Sequence, residues 1–445
     1  MTPDPKSKSP RPFDAASDLV SEPGQLREYE IDGVQPKSAA FPRRREDVAG
    51  HLARADAEGR KVVPSGSGTK LTIGAPPERV DLLLKLELLN RIVDHDHQNL
   101  TVTAEAGARV AAVQAVLRER SQFLPLDPPF GDRATIGGIL AVNSSGPRRL
   151  LFGSPRDFVL GIRTALPNGT LIKAGGKTVK NVAGFDLSKL YIGSLGTLGV
   201  LVEATFRVLP LPETACTQVF LFHDLETPCA FVAKLLGTTL SPSAVELLNP
   251  EALARCKPFT GSAKKGMWGL AVSCEGFAEA VERQARDIAA IAEGAEATIS
   301  ITGKEQDAFW RFVTDYLPAD ESRKTPTGVR GKISLPISQV KAIAADAQRM
   351  FEEAGVRGAI VAHAASGIVY FTCPDNVLPA EKIAALRKRA NKLGGWLMLE
   401  TAPHAIKRRV GVWDMPPGGI EIMKRIRASF DPNHTLNPGR FLDGI

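Results

Sequence analysis

Hydrophobic and polar positions alternate with both helical and strand periods along this chain, which predicts a mixed α and β fold. Residues 45–58 place Val48, Leu52 and Ala55 at helical spacing and predict an amphipathic helix. Residues 100–104, Leu-Thr-Val-Thr-Ala, alternate strictly and predict a half-buried strand. Both periods occur within the first quarter of the sequence, so helices and strands are expected to pack together.

The first half of the chain contains several further predicted elements. A helix is expected over residues 107–120, and a hairpin is expected around Asn168-Gly169, because Asn-Gly favours tight turns. Strands are predicted at 61–63, 80–86, 91–94 and 100–104. We expect the last three of these strands to form one hairpin-linked sheet.

After Pro210-Leu-Pro212 the pattern changes to strands alternating with longer helices. Strands are predicted at 217–222, 268–274, 297–301, 330–335, 359–362 and 367–372, and helices at 276–293, 305–316, 337–354, 379–393 and 418–429. This order favours an α+β unit in which helices cover one face of an antiparallel sheet.

Length and these pattern changes together predict several domains. At 445 residues the chain exceeds one ordinary core. We divide it into a disordered tail rich in Pro, Ser and Lys, a first domain, a second domain that covers a site on the first, and a C-terminal segment that returns to the first domain. Their predicted bounds are 1–20, 21–212, 213–404 and 405–445.

Composition excludes several classes of function. No apolar run approaches the roughly 20 residues that span a bilayer, and the start lacks the apolar segment of a secretory signal, so a cytoplasmic location is expected. The five cysteines include no C-x-x-C pair and predict neither an iron–sulfur cluster nor a disulfide framework. The net charge of +7 is spread out without interleaved aromatic residues, which argues against nucleic acid and fits a small anionic ligand.

Small residues crowd two stretches, 127–146 and 193–199, and a third segment, Pro64-Ser-Gly-Ser-Gly-Thr69, follows a predicted strand. Glycine lets backbone amides approach a ligand closely. The Rossmann pattern fails because Leu71 stands where its third glycine is needed, and a Walker loop fails because Leu171 stands at its first glycine. A strand that ends in Ser-Gly-Ser-Gly-Thr can still curl its amides into an anion-binding nest.

Five motifs in order resemble the FAD-linked oxidases of the vanillyl-alcohol-oxidase type, also called the PCMH type. They are Pro64–Thr69, Ala134–Gly138 with Asn143 and Gly146, Lys180–Asp186, Gly193–Gly199 and Asn437–Arg440. The resemblance implies a two-part FAD-binding domain and an α+β cap domain. Within the family, the chain is most similar to FAD-binding subunits of bacterial glycolate oxidase (glycolate dehydrogenase).

The resemblance also implies which residues contact FAD. Residues 65–69 would hold the pyrophosphate through backbone amides, and the other motif residues would line the rest of the dinucleotide. The implied cofactor-binding residues are Ser65, Gly66, Ser67, Gly68, Thr69, Thr135, Ile136, Gly137, Gly138, Asn143, Gly146, Gly199, Val200 and Asn437. Residues 64–70 contain no histidine that could attach covalently to the flavin, so FAD is expected to bind non-covalently.

The substrate side departs from the catalytic members of the family. Those members carry a His-x-Gly-x-Gly-Asn-x-His segment and a Glu-His-Gly segment, whose histidines bind a metal or take the hydroxyl proton. The similar segments here run from His363 to Tyr370 and from Glu400 to His404. They retain too few ligands for a good metal site, so no metal is expected. His363 and His404 are the candidate catalytic residues, although a histidine at the end of an apolar strand, such as His363, is more often a core or turn histidine.

These features leave three hypotheses open. In the first, the chain carries FAD and relays electrons in a complex that oxidises glycolate or D-lactate, with a larger paralogous FAD-binding subunit and an iron–sulfur subunit as partners, and any membrane contact is indirect. In the second, it is a self-sufficient 2-hydroxy-acid dehydrogenase in which Lys407, Arg408 or Arg409 pairs with the substrate carboxylate. In the third, it is a flavin-free scaffold.

Overall fold

The structure is a computed structural model that describes residues 19–177, 186–256, 266–315, 327–374, 378–414 and 418–445. The predicted tail lies outside these residues up to position 18, and the motif at 180–186 lies outside them up to position 185. Across the described ranges, no helix combines the length and the apolar character needed to cross a membrane.

The described strands are β1 (Leu19–Val20), β2 (Ala39–Ala40), β3 (Val62–Ser65), β4 (Leu82–Lys85), β5 (Ile92–Asp96), β6 (Thr101–Glu105), β7 (Gln122–Phe123), β8 (Val159–Ala165), β9 (Leu171–Gly175), β10 (Val200–Arg207), β11 (Leu209–Pro210), β12 (Thr214–Phe222), β13 (Ala244–Leu248), β14 (Trp268–Gly276), β15 (Ala297–Ile301), β16 (Val329–Ser334), β17 (Ala359–His363), β18 (Ile368–Cys373) and β19 (Trp396–Thr401).

The described α-helices are α1 (Pro23–Leu26), α2 (Arg45–Ala57), α3 (Val110–Arg118), α4 (Ile136–Ala141), α5 (Arg149–Phe152), α6 (Pro155–Phe158), α7 (Ser188–Tyr191), α8 (Glu226–Leu236), α9 (Pro250–Arg255), α10 (Ala278–Ile291), α11 (Gly303–Thr314), α12 (Val340–Ala354), α13 (Ala380–Lys392), α14 (His404–Val410) and α15 (Ile420–Phe430).

Two sheets form the first part of the chain. One has the order β1-β2-β4-β3, with β3 and β4 parallel, and the other is antiparallel with the order β5-β6-β10-β8-β9. The β5–β6 and β8–β9 hairpins confirm two predictions. The expectation that β4 joins the β5–β6 hairpin is wrong. Residues 82–85 are buried throughout, and a strand buried on both faces suits parallel pairing.

The predicted helix over residues 45–58 is confirmed as α2. Val48, Leu52 and Ala55 are fully buried and pack with Val62 and Leu84 of the parallel pair. The helix therefore covers the β3–β4 pair on one side, and β3 carries the polypeptide directly from this core to the first glycine-rich loop.

The second part is built on an antiparallel sheet of eight strands, in the order β15-β12-β14-β13-β17-β18-β16-β19. The antiparallel sheet was predicted, but strands β13 and β19 and helices α8 and α9 were missed. Helices cover both faces of this sheet rather than one. Successive residues of a strand point to opposite faces, so neighbouring residues of β12 pack with different helices. Phe220 and Phe222 pack with α8 and α10, whereas Val219 and Leu221 pack with α9 and α11.

The C-terminal segment reaches back to the first part. The amide of Val62 donates to the carbonyl of Thr435 at 2.7 Å, and the amide of Asn437 donates to the carbonyl of Val62 at 2.9 Å. Lys407 of α14 forms a buried ion pair with Asp32 at 2.8 Å. The division at residues 20, 212 and 404 stays a prediction.

Candidate active site

The first glycine-rich loop leaves β3 as a row of unpaired donors. Among the described residues, the backbone amides of residues 66–70 donate to no protein acceptor. Gly68 has φ +82°, a left-handed conformation that glycine adopts without strain. Lys85 fixes the loop from behind by donating to the carbonyl of Gly66 at 3.0 Å. Consecutive free amides on a curved backbone form an anion-binding surface.

This loop lines a narrow cavity of about 90 Å³, which we call the glycine-loop cavity. The motif residues that line it come from four separate segments of the chain. They are Ser65, Gly66, Ser67, Gly68, Thr69, Thr135, Gly137, Gly138, Gly199, Val200 and Asn437. The structure therefore brings together eleven of the fourteen residues implied by the resemblance.

Several of these glycines are required by close packing rather than by contact with a ligand. A Cβ on Gly66 would stand 2.0 Å from the Thr135 hydroxyl oxygen, and one on Gly137 would stand 2.8 Å from the Cβ of Ala106. Gly199 similarly faces Thr164 at 2.6 Å. The small residues thus let the loop approach the start of α4, α4 approach the end of β6, and the start of β10 approach β8.

A second cavity of about 1100 Å³ adjoins the first and lies between the two parts of the chain. We call it the large cavity. Lys70 and Leu195 line both cavities, so the glycine-loop cavity opens into it. Asn143 lines the large cavity with φ +49°, and its side-chain oxygen is buried without a hydrogen-bond partner among the described residues. A buried acceptor of this kind suits a ligand that donates a hydrogen bond.

Glu400 of β19 is the best-paired charge at the large cavity. Its Oε2 lies 3.3 Å from Lys70 Nζ and 3.0 Å from Arg330 Nε. Burial alone would raise the pKa of Glu400, but Lys70, Arg330 and Lys332 outweigh it and lower the pKa to about 2. Glu400 is therefore ionised and links the loop after β3 to the eight-stranded sheet, which we call the cap sheet.

Lys332 of β16 also lines the large cavity. Burial is the largest cause that lowers its pKa to about 8, and Arg149, Lys70 and Arg330 lower it further, while Glu400 opposes them. Tyr370 lies opposite Lys332 on β18. The charged residues that line the cavity are Lys70, Arg149, Arg156, Lys332, Glu400 and Asp414. Four cations against two carboxylates favour an anionic ligand.

His363 does not line the large cavity but lies behind the residues that do. Its Nδ1 is 2.6 Å from Oε1 of the fully buried Glu246, whose pKa is raised by burial, and its Nε2 has no hydrogen-bond partner among the described residues. His363 lines a small cavity of about 10 Å³ together with Arg330, Gly146 and Tyr370. Tyr370 also lines the large cavity, with its ring 5.3 Å from that of His363.

The remaining predicted residues lie apart from the glycine-loop cavity. Ile136 is fully buried in the core under α4, Asn143 lines the large cavity and Gly146 the small one. His404 begins α14 and lines none of these three cavities.

The expectation that Lys407 meets a substrate carboxylate is wrong, and the same expectation for Arg408 or Arg409 stays a prediction. Lys407 is buried against Asp32, Arg408 is exposed, and Arg409 pairs with Glu381 at the surface. A buried ammonium of this kind holds α14 to the first part, so its charge is already used for structure.

The donor set at the large cavity does not suit a metal ion. Within the described ranges, no three His, Cys, Asp or Glu side chains are grouped closely enough to hold one. Glu400 is already bonded to two cations, and His363 is bonded to Glu246.

Sequence reasoning missed Lys70, Arg330 and Lys332. A pattern was available for two of them. In Val329-Arg-Gly-Lys-Ile-Ser334 the two cations stand two residues apart in a strand, so they share one face, and a pair of charges on one face of a central strand is costly without a function. Lys70 had no comparable pattern, because its position is set by the loop after β3.

Comparisons with known proteins agree with this arrangement. Residues 36–175 match the model of an FAD binding domain, and residues 211–441 match the model of the C-terminal domain of FAD linked oxidases. The second match alone covers more than half of the chain.

Individual relatives cover nearly the whole chain. The glycolate oxidase subunit GlcD of Bacillus subtilis is 28% identical over 91% of this chain and 88% of its own length. A D-lactate dehydrogenase of Archaeoglobus fulgidus is 29% identical over 90% of each. Among solved structures, p-cresol methylhydroxylase with bound substrate superimposes with a TM-score of 0.72 at 16% identity, over 95% of this chain and 93% of its own. That last likeness shows the shared fold.

Proposed function

Because this chain belongs to the FAD-linked oxidases, we propose that it is the FAD-carrying subunit of a complex that oxidises a small 2-hydroxy acid such as glycolate or D-lactate. The chain is an FAD-dependent oxidoreductase with a PCMH-type fold, and this family assignment removes the flavin-free scaffold. The observation that carries the proposal is the row of free amides at residues 66–70, in a cavity that opens into a larger one lined by cations.

The glycine-loop cavity suits the pyrophosphate of FAD. The amides of residues 66–70 would donate to its oxygens, and Thr135, Gly138, Gly199 and Asn437 would line the nucleotide on the other sides. We take FAD to bind non-covalently, as the absence of a histidine from residues 64–70 predicts. FAD, when bound, supplies the acceptor for the two electrons of the oxidation.

The large cavity suits the substrate. A 2-hydroxy acid carries a carboxylate at neutral pH, and the excess of cations around the cavity attracts it. Two relatives named above, a glycolate oxidase subunit and a D-lactate dehydrogenase, support this substrate class. Asn143 offers a buried acceptor to a donor on either ligand.

The position of His363 favours a role inside a complex. Oxidation of the hydroxyl requires a base that takes its proton. His363 is oriented by Glu246, but Tyr370 separates it from the large cavity. We therefore assign the efficient substrate chemistry to a larger paralogous FAD-binding subunit, and the onward electron transfer to an iron–sulfur subunit. Any attachment to the inner membrane would come through these partners, with this chain on the cytoplasmic side.

The second candidate is a self-sufficient dehydrogenase. Nε2 of His363 is unpartnered among the described residues and faces the small cavity, so a shift of Tyr370 would let it reach the substrate hydroxyl. His404 gains no comparable support, because it lines none of the three cavities.

Anaerobic absorbance spectroscopy separates these candidates. The full-length chain is loaded with FAD and mixed with glycolate, D-lactate or, as a control, acetate, first alone and then with the subunits that co-purify with it. We expect the flavin band to bleach with a 2-hydroxy acid in the assembled complex and only slowly in the chain alone. Equal bleaching rates in both would establish the self-sufficient enzyme. A band that persists in the complex with every 2-hydroxy acid would contradict the proposed function.

A further inference from the structure

We propose that the two side-chain cations held on Glu400 take the place of a divalent metal there, and that Lys332, which lines the large cavity, contacts the carboxylate of the anion bound in that cavity. This inference rests on the proposed function, because it names the groups that bind the substrate anion. Lys332 becomes a ligand contact. No metal is needed at residues 363–370 and 400–404, although the similar segments of catalytic family members can bind one.

The carboxylate of Glu400 already has two cations bound to it. It is nearly inaccessible to solvent, and Lys70 Nζ and Arg330 Nε lie 3.3 and 3.0 Å from the same oxygen. A divalent ion that approached this oxygen would meet two positive charges at contact distance. Since like charges in a poorly solvated site repel strongly, the two cations occupy the electrostatic role of the metal.

The other positions at which a metal would need ligands are His363 and Tyr370, and both side chains already have protein contacts. Nδ1 of His363 is bonded to Glu246, so the ring is fixed by a carboxylate within the cap. Tyr370 stands seven residues later, and the Arg330 guanidinium lies over its ring at 4.6 Å. A cation over an aromatic face is a favourable contact in its own right. The site is therefore built around Arg330.

Lys332 is a cation at the large cavity that is available to a ligand. Its ammonium lines the large cavity and has no hydrogen-bond or ion-pair partner in the described part of the chain. Its neighbours Lys70 and Arg330 already share Glu400. An enclosed ammonium that makes no direct ion pair is stabilised by an incoming anion, and a carboxylate offers two oxygens to it. Arg149, which also lines the cavity, adds a second cation for the same ligand.

Oxalate is a suitable probe, because it carries carboxylates and has no hydroxyl to oxidise. The FAD-loaded full-length chain is dialysed against EDTA, its metal content is measured, and oxalate binding is followed by the change in flavin absorbance and by calorimetry. Lys332→Met removes the charge and keeps most of the side-chain volume. Lys388→Met is the matched control, since Lys388 is exposed on α13 and lines none of the three cavities.

We expect the EDTA-treated protein to bind oxalate, K332M to bind it at least about tenfold more weakly, and K388M to bind within about twofold of the wild type. Added Zn²⁺ or Mn²⁺ should leave the affinity for free oxalate unchanged, once the oxalate bound by the metal in solution is subtracted. Oxalate binding that disappears with EDTA and returns with a metal would overturn the metal-free site. Equal binding by K332M and the wild type would overturn the role of Lys332.

Flavin bleaching and oxalate binding distinguish a failure of the anion site from a failure of the proposed oxidation. If glycolate or D-lactate bleaches the flavin of the complex while K332M binds oxalate normally, only the present inference is wrong. If no 2-hydroxy acid bleaches the flavin although oxalate binding follows the expected pattern, the proposed oxidation is wrong and the anion site stands. Absence of oxalate binding in an FAD-loaded wild-type chain would overturn the anion site itself.

Discussion

Replacing Glu400 with glutamine should destabilise the protein strongly, because this one carboxylate neutralises two buried cations. The substitution keeps the size of the side chain and removes its charge. Lys70 and Arg330 would remain close together, with only a neutral amide oxygen between them. The pair crosses from the loop after β3 to the cap sheet, so the contact between the two parts of the chain should weaken as well.

The size of the effect follows from the ionisation of Glu400. One pKa unit corresponds to about 1.36 kcal/mol, so a pKa lowered from 4.5 to about 2 corresponds to about 3 kcal/mol of stabilisation. Removing one partner of a buried ion pair costs about 3–5 kcal/mol in other proteins, which agrees. Because the folded-state pKa is depressed, this stabilisation is present above pH 4.5 and is lost as the pH falls towards 2.

The free energy of unfolding can be measured by urea denaturation at pH 7 and at fixed FAD concentration, with tryptophan fluorescence as the readout. Trp268 and Trp310 report on the cap sheet and on α11. The matched control is Glu421→Gln, whose side chain is 79% exposed, and we expect it to change stability by less than about 0.5 kcal/mol. Lys70→Met combined with E400Q should recover part of the loss, because it removes one of the stranded charges.

A loss below about 1 kcal/mol in E400Q at pH 7 would refute the reasoning, since it would mean that the carboxylate does not neutralise two buried cations. So would a difference between wild type and E400Q that stays constant from pH 6 down to pH 3, because only the wild type has the contribution of Glu400 to lose over that range.

Three further outcomes follow from the same structure. Lys407→Met should cost about 3–5 kcal/mol of unfolding free energy by leaving Asp32 buried without its counter-ion, and limited proteolysis should then cut the C-terminal segment faster. Gly66→Ala should weaken FAD binding at least about tenfold, measured by flavin fluorescence, because its Cβ collides with the hydroxyl on the facing helix; Gly24→Ala, where a Cβ meets nothing within 4 Å, is the control. Oxalate affinity should fall severalfold as the pH rises from about 7 to about 9, because Lys332 loses its proton near pH 8.

The local elements were predictable from sequence where their stabilising contacts are local. The helix over residues 45–57 shows its buried face at helical spacing, and Asn168-Gly169 marks the β8–β9 turn, in which Gly169 adopts φ +82°. Strand β4 was assigned to the wrong sheet because its partner, β3, is a parallel strand that the hydrophobic pattern does not reveal. The short strand β13 was missed because Glu246 interrupts its apolar pattern, and only His363 explains the burial of that carboxylate.

The candidate site divides in the same way. The glycine motifs could be found in the sequence because close backbone approach requires small residues at fixed spacing. The cations could not be assigned, since Arg330 and Glu400 meet only when β16 pairs with β19, and Lys70 reaches Glu400 only when the cap sheet covers the first part. Lys407 was misassigned for the same reason: nothing near it in sequence indicates that Asp32 is its partner.

A crystal structure of the FAD-loaded chain with oxalate would test the central claim most directly. The account predicts the pyrophosphate at hydrogen-bond distance from the amides of residues 66–70, and oxalate in the large cavity against Lys332, without a metal ion on Glu400. A pyrophosphate bound away from this loop, or a metal ion bridging Glu400 and the oxalate, would contradict it.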